Sequence, residues 1–324
     1  MGGFLALLAA ATFALNNAFA RRGVLSGTVL QAMAISVPFG VPLFLIAALA
    51  TGSTLLIFEF STNAWVLLSA AGVVHFVLGR YCNYRAVKAM GANLAGPLME
   101  GSVLIALSLA VVLLDEHLTI IKVLGILLIL AGPALTASRQ SAKKPVKKQE
   151  LAFTPIYFEG TLFAMLAAVA YGTSPVLVRF ALEKANWQAS IAGGLISYLA
   201  ATVVTLGFVL VAGQTKQVRN MSTDTVKWFC LAGFFVGFSQ MLRYMALSFA
   251  PVSVVSPIQR LSLIFRLFFG YMLNRKYEVF NSRMVAGTLV SVFGAVLLSI
   301  SIDDVSSLLP IPDMLAPIFK WTWP

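Results

Sequence analysis

Ten apolar runs occupy most of this chain, roughly at 3–21, 29–50, 64–84, 92–114, 119–137, 160–181, 190–212, 226–248, 252–273 and 283–301. Each is close to the ~20 residues that an α-helix needs to cross the hydrocarbon core of a bilayer. Lipid offers no hydrogen-bond partners, so spanning segments fold as helices or as strands of a closed barrel. Barrel strands would alternate in polarity over about ten residues, and these runs are apolar without alternation. The expected fold is therefore all-α and integral to the membrane, with ten transmembrane helices. Only 11% of residues are charged, against about 25% in a soluble domain.

The net charge of +11 raises the possibility of a nucleic-acid partner. That reading fails, because the basic residues are dispersed among apolar spans and no soluble domain is left to present them. Topology and an anionic ligand explain the charge better. Both cysteines, Cys82 and Cys230, fall inside spans, so neither a disulfide framework nor a zinc site is expected. The first run has no basic segment ahead of it and reads as a retained helix, not a cleavable signal.

A basic, polar stretch at 138–159 divides the spans five and five, and the two halves repeat. At an offset of 160, Tyr84-Arg85-Ala86-Val87 meets Tyr244-Met245-Ala246-Leu247, Pro97 meets Pro257 and Ser102 meets Ser262. Gly125 and Gly132 meet Gly287 and Gly294 at 162, after a two-residue insertion. Arg21 meets Arg179 at 158. The organisation read from this is a first repeat at 1–137, a linker at 138–159, a second repeat at 160–301 and a tail at 302–324. Five spans is an odd number, so the two halves must point oppositely. Inverted repeats characterise many secondary transporters, whose substrate sits near the midplane between them.

The chain resembles the EamA-type, ten-helix members of the drug/metabolite transporter superfamily. The residues that carry the resemblance are Ala9-Ala10-Ala11-Thr12-Phe13-Ala14-Leu15-Asn16, Tyr84-Arg85-Ala86-Val87, Pro97, Asp115-Glu116-His117-Leu118-Thr119 and the run from Gly125 to Gly132. The second half departs from the pattern, since Asn274-Arg275-Lys276 stands where the acidic turn is usual. The resemblance implies two five-helix halves, alternating access and a central cavity lined mainly by spans 1, 3, 4, 6, 8 and 9. These motifs identify the family and not the substrate.

Fourteen Lys and Arg, among them Arg21, Arg22, Lys88, the Lys143–Lys148 cluster, Arg275 and Lys276, lie at one set of span ends, and three lie at the other. The positive-inside rule places the fourteen in the cytoplasm and both termini outside. The family resemblance implies cytoplasmic termini instead. The expected location is the plasma membrane, the inner membrane in a bacterium. The Pro- and Trp-rich tail suits an interfacial element.

Charged side chains inside spans mark functional sites by default. The ninth span carries Ser253, Ser256 and Arg260 at i, i+3, i+7, and the fourth carries Asn93, Gly96 and Glu100 at the same spacing. The offset makes Glu100 and Arg260 equivalent positions, which either form a structural ion pair or a site where Arg260 binds an anion and Glu100 competes or carries a proton. Arg266 lies on a stripe with Gln259 and Ser262. Span 3 contributes Arg80, Tyr84 and His75, the last a proton-relay candidate. Span 8 contributes Gln240, Arg243 and Tyr244. In spans 1 and 6, Asn17 and Tyr171 complete the candidate substrate site. Guanidinium groups suit carboxylate or phosphate. The leading reading is a secondary transporter for a small organic anion or amphiphilic metabolite. The alternative is a flippase for an anionic lipid or lipid-linked phosphate carrier, and a scaffold or enzyme follows behind. No Gly-rich phosphate loop, Ser/His/Asp set or HExxH motif supports an enzyme, and no cofactor or metal is expected.

Overall fold

The computed structural model describes residues 1–114, 118–137, 154–182, 186–250, 252–280, 282–299 and 322–323. Asp115-Glu116-His117, the Lys143–Lys148 cluster and most of the tail lie outside the described residues. The first half comprises α1 (Gly2–Ser26), α2 (Val29–Ser36), α3 (Gly40–Ala50), α4 (Thr62–Gly72), α5 (Arg80–Met90), α6 (Ala92–Met99), α7 (Gly101–Leu114) and α8 (Ile120–Ala137). The second comprises α9 (Tyr157–Ala181), α10 (Trp187–Val211), the short α11 (Thr215–Arg219), α12 (Thr223–Phe249), α13 (Val252–Gln259), α14 (Ser262–Asn274) and α15 (Ser282–Ser299). Leu118–Thr119 and Thr322–Trp323 form a two-residue antiparallel ladder. Among the described residues, seven helical segments are long and apolar enough to cross a membrane. The chain is a multi-pass membrane protein.

Three of the apolar runs are not straight helices. The run at 29–50 breaks at Val37–Phe39, around Pro38. The run at 92–114 breaks at Glu100, and the run at 252–274 breaks at Arg260–Leu261. Proline removes one intrahelical donor and crowds the carbonyl four residues back, and both of the last two breaks fall three residues after a proline. Their backbone bonds match at the offset of 160. Val103 N–H donates to the Glu100 carbonyl at 3.0 Å, and Leu263 N–H donates to the Arg260 carbonyl at 3.0 Å. A fourth irregularity is the π-helical stretch Val73–Gly79 between α4 and α5, a geometry common at functional sites.

Packing pairs α1 with α12, α8 with α15, α10 with α3 and α4, and α9 with α5 and α7. Close approach is bought with small residues. A Cβ on Gly72 would collide with the Ser197 carbonyl oxygen, so α4 and α10 touch backbone to backbone there.

Several helix starts supply their own caps. Thr28 and Gln31 form a reciprocal capping box, and Ser61, Asn186 and Ser222 each accept from a backbone N–H three residues on. Helix α6 cannot do this, because its N-cap is Gly91, with φ +89°. Glu278 fills the vacancy from the α14–α15 turn. Its carboxylate accepts from Ala92 N–H at 2.8 Å and Asn93 N–H at 3.0 Å. An anion at a helix N-terminus meets both orphan donors and the helix dipole. Burial pushes the Glu278 carboxyl above its ordinary range, and the Arg21 charge and the two amides pull it back.

Arg21 lies beside this carboxylate, its Nε 3.7 Å from Glu278 Oε1. Its Nη1 donates to the Val87 carbonyl at 2.6 Å and the Lys88 carbonyl at 3.1 Å, and its Nη2 donates to Tyr277 O at 2.9 Å. Asn274 and Arg22 extend the cluster, through Asn274 Nδ2 to Ala18 O at 2.7 Å and Arg22 Nε to Asn274 Oδ1 at 2.8 Å. Two expectations are corrected here. Arg21 is fully buried and is not a surface charge, so it drops out of the orientation count. The acidic turn missing at 274–276 is supplied by Glu278, which lies 162 residues beyond Glu116, the offset that the two-residue insertion sets.

Removing one partner of a buried ion pair costs about 3–5 kcal/mol. Glu278→Ala is expected to destabilise the purified protein by about that amount, read as a lower melting temperature in detergent, with Glu278→Gln intermediate. An unchanged melting temperature in Glu278→Ala would mean that carbonyl oxygens alone satisfy Arg21.

Candidate functional site

The two breaks bring their residues together. Arg260 Nε lies 3.5 Å from Glu100 Oε2. Glu100 is 1% exposed. The contact is not a hydrogen bond, since Glu100 Oε2 has no donor among the described residues. Arg260 Nε donates instead to the Ser256 carbonyl at 3.2 Å, and its Nη1 donates to Ser102 Oγ at 2.9 Å. The pair is held by charge and left short of hydrogen bonds.

A ladder of rings runs away from this pair through the core. Phe13 packs edge-on to Tyr171 at 6.2 Å, Tyr171 meets His75 at 4.6 Å, and His75 meets Phe76 at 5.1 Å. Phe76 stacks on Tyr198 at 4.0 Å, Tyr198 meets Phe44 at 5.2 Å, and Phe44 meets Tyr244 at 6.2 Å. Three arginines face its rungs. Arg266 lies 5.2 Å from the Phe13 ring centroid, Arg80 lies 5.3 Å from Phe76 and 5.7 Å from Tyr198, and Arg243 lies 5.2 Å from Tyr244. Aromatic faces attract cations most strongly where water is excluded. Each of these three arginines is at least nine-tenths buried.

Their hydrogen bonding differs. Arg80 is tied down, with Nη1 on the Ser36 carbonyl at 2.8 Å and Nη2 on Tyr198 Oη at 3.0 Å. Arg243 uses only Nε, which donates to Gln240 Oε1 at 2.7 Å, and both its Nη atoms are buried without an acceptor. Arg266 has Nε and Nη1 buried without an acceptor. His75 Nδ1 and Ser174 Oγ are likewise buried and unpaired. So many unmet polar groups in one region is unusual for a protein core.

Several sequence candidates prove to be ties between helices. Tyr84 Oη donates to Asn16 Oδ1 at 3.2 Å and lies 3.2 Å from Ser36 Oγ, whose hydroxyl hydrogen completes the second bond. Asn17 Nδ2 donates to the Phe13 carbonyl at 2.8 Å, and its Oδ1 accepts from Asn83 Nδ2 at 3.3 Å. Tyr244 Oη donates to Ser197 Oγ at 2.9 Å. The proposed stripe of Gln259, Ser262 and Arg266 is corrected. The break at 260–261 interrupts the helical phase, leaving Gln259 half-buried at the end of α13 while Ser262 and Arg266 are buried in α14. Sequence reading missed Tyr198, Ser36 and Phe76. The cavity lining that the resemblance implies leaves out Tyr198 and Ser36, which lie on the seventh and second spans.

A separate cavity of about 640 Å³ lies off this cluster, near the ends of α5, α9 and α10, with Tyr81, Arg85, Lys88, Glu159, Phe208 and Gln214 on its walls. Arg85 and Glu159 form an ion pair there.

A double-mutant cycle tests the central pair. Glu100→Ala alone is expected to cost about 3 kcal/mol by leaving Arg260 uncompensated, and Glu100→Ala with Arg260→Met is expected to recover most of it. Additive losses in thermal unfolding would mean that the two side chains do not interact energetically.

The model of the EamA-like transporter family matches residues 1–138 and 158–300, on either side of the linker. No curated protein matches the chain. A solved structure titled only "Crystal structure of protein" superposes with a TM-score of 0.63 at 19% identity, covering 91% of this chain and 94% of its own. At that identity the likeness shows the fold alone. The family match spans most of the sequence, so the chain belongs to the EamA-like transporter family, membrane transporters of the drug/metabolite transporter superfamily.

Proposed function

We propose that this chain is a secondary active transporter that moves a small organic anion or amphiphilic metabolite across the plasma membrane by alternating access. In this reading α8, the α13–α14 pair and α15 complete ten spans, arranged as two inverted five-helix repeats. Two regularities favour the repeat. Arg21 donates to the Val87 carbonyl at 2.6 Å, and its equivalent Arg179 donates to the Leu247 carbonyl, the equivalent of Val87, at 3.1 Å. The packing of α1 on α12 has its counterpart in α9 on α5.

The observation that carries the functional reading is the Glu100–Arg260 pair, seated at two interrupted helices and lacking a hydrogen bond. An incoming carboxylate or phosphate offers Arg260 the hydrogen bonds that Glu100 does not make, so substrate and Glu100 compete for one cation. Displaced, Glu100 is free to take a proton, which provides coupling; His75 is the second candidate for that role. The interrupted helices supply the places where one half bends against the other. A lipid-translocating alternative gains support from the cavity lined by Lys88 and the Arg85–Glu159 pair and apolar at Phe208.

A thermal-shift series on purified protein with anionic metabolites and with anionic phospholipids separates the two. The transporter reading expects small anions to raise the melting temperature and expects Arg260→Ala to abolish that response. Stabilisation by phospholipids alone, retained in Arg260→Ala, would favour lipid translocation. An absence of any shift, or a full response in Arg260→Ala, would remove the anion site.

The Lys and Arg counted at one set of span ends, Arg21 apart, favour cytoplasmic placement of that side and outward termini. A single cysteine near Lys144, in a background lacking Cys82 and Cys230, is then expected to resist an impermeant thiol reagent in intact cells. Strong labelling would place the linker outside.

A further inference from the structure

We propose that the transported species carries two negative charges, as a short dicarboxylate or a phosphate monoester does, and that Arg243 and Arg266 are the groups that require both. The inference rests on the anion-transporter reading above and adds the charge of the substrate. It follows from the partners of each buried guanidinium in the centre of the bundle.

Arg260 faces Glu100. Arg80 is satisfied by the Ser36 carbonyl and the Tyr198 hydroxyl, with two aromatic faces beside it. Among the described residues, Glu100 and Glu278 are the buried carboxylates, and Glu278 is engaged with Arg21 and the α6 amides. Arg266 shares the single Glu100 charge with Arg260, and Arg243 has no carboxylate beside it, so Arg260, Arg266 and Arg243 face one carboxylate and two positive charges stay unmet. Arg243 and Arg266 are both at least 95% buried, with relative exposures of 2% and 5%. Arg243 keeps its whole terminal fork, Nη1 and Nη2, without an acceptor, and Arg266 keeps Nε and Nη1 so. An open terminal fork is the arrangement that takes a carboxylate or phosphate through two parallel hydrogen bonds.

Arg266 lies against Phe13, which packs on Tyr171, and Arg243 lies against Tyr244. Arg260 and the Tyr171 hydroxyl lie within the electrostatic reach of both arginines and link them. Both helices that carry them pack on α1, and Ser239 Oγ pins α12 to the Ala9 carbonyl at 2.7 Å. A neutral ligand entering here leaves two buried cations uncompensated, and a monoanion leaves one. A dianion satisfies both without disturbing the Glu100–Arg260 pair, or displaces Glu100 and leaves that carboxyl to be protonated. A trianion finds no third open guanidinium, since Arg80 is already hydrogen-bonded to the Ser36 carbonyl and the Tyr198 hydroxyl, unless Glu100 is neutral and releases Arg260.

The test is a binding series on the purified full-length protein, with ligand-induced melting shifts converted to affinities at fixed ionic strength. The probes are butyrate, succinate, glycerol 3-phosphate and tricarballylate. Succinate or glycerol 3-phosphate is expected to bind at least about tenfold more tightly than butyrate, and the better of those two identifies carboxylate or phosphate as the second charge. Arg266→Gln and Arg243→Gln are each expected to lower the preferred charge by one, so that succinate falls to the affinity of butyrate while butyrate is retained. Glu100→Gln is expected to raise it by one and to favour tricarballylate. Equal binding of butyrate and succinate to the unaltered protein would overturn the two-charge inference and leave the anion reading standing. Failure of all four probes to bind would remove both. Should either arginine variant fail to fold, the series on the unaltered protein decides alone.

Discussion

An ionised side chain in hydrocarbon must be met by another charge or by several hydrogen bonds, and the packing of this protein is organised by that demand. The burial of Arg21 draws together the C-terminal carbonyls of α5, the α14–α15 turn and the Glu278 carboxylate. Glu278 in turn caps α6, whose N-terminal glycine has no side chain to cap with. One arginine and one glutamate thus fix where four helical segments end relative to one another. Apolar contacts in lipid could not do so alone, because lipid tails are as apolar as the side chains they would exchange for. The specificity of the bundle has to come from polar ties and from the close approaches that glycines allow, as at Gly72 on Ser197.

The central region answers the same demand less completely. Arg80 is satisfied, Arg260 is half satisfied, and Arg243 and Arg266 are left with open donors. A structure optimised only for stability would replace such groups with packed hydrocarbon, often with a gain. The irregular backbone coincides with them. The breaks at Glu100 and Arg260 and the π-helical stretch holding His75 are where backbone hydrogen bonding departs from the α pattern. Irregular backbone inside a membrane survives where protein or a lined cavity supplies its partners. Unmet charge and interrupted helix in one place mark the part of the bundle with the least to lose by rearranging.

What could be read from the sequence depended on whether a feature was periodic. The apolar runs were legible because lipid enforces length. Glu100 and Arg260 could be paired from the offset of 160 alone. The failures are local. Placing Gln259, Ser262 and Arg266 on one face assumed an unbroken helix through 260–261, and Pro257 was the available warning. Arg21 was counted as a surface charge because it stands near a helix end, where arginines usually reach for water; its repeat mate Arg179 was the hint that both have fixed partners. Glu278 was hidden by the two-residue insertion, which shifts it out of register with the first half. Tyr198 and Ser36 gave no signal, since a buried tyrosine or serine in an apolar run looks like any other core position.

The offset also explains which charges the centre can hold. In the inverted repeat proposed above, equivalent positions near the middle of the bundle come close to each other, so equal charges at both would repel across a short, dry distance. The sequence avoids this at each central pair. Arg80 is matched by Gln240, Arg243 by Asn83, and Arg266 by the small Ala106. Where both members are charged, as at Glu100 and Arg260, the signs are opposite and the side chains touch at 3.5 Å. Arg21 and Arg179 are the exception that follows the rule. They carry the same charge, but each meets its own carbonyl on a different helix, Val87 on α5 and Leu247 on α12, and Glu278 sits beside Arg21 and not between the two. A pair of matched halves can therefore keep like charges only where they are apart.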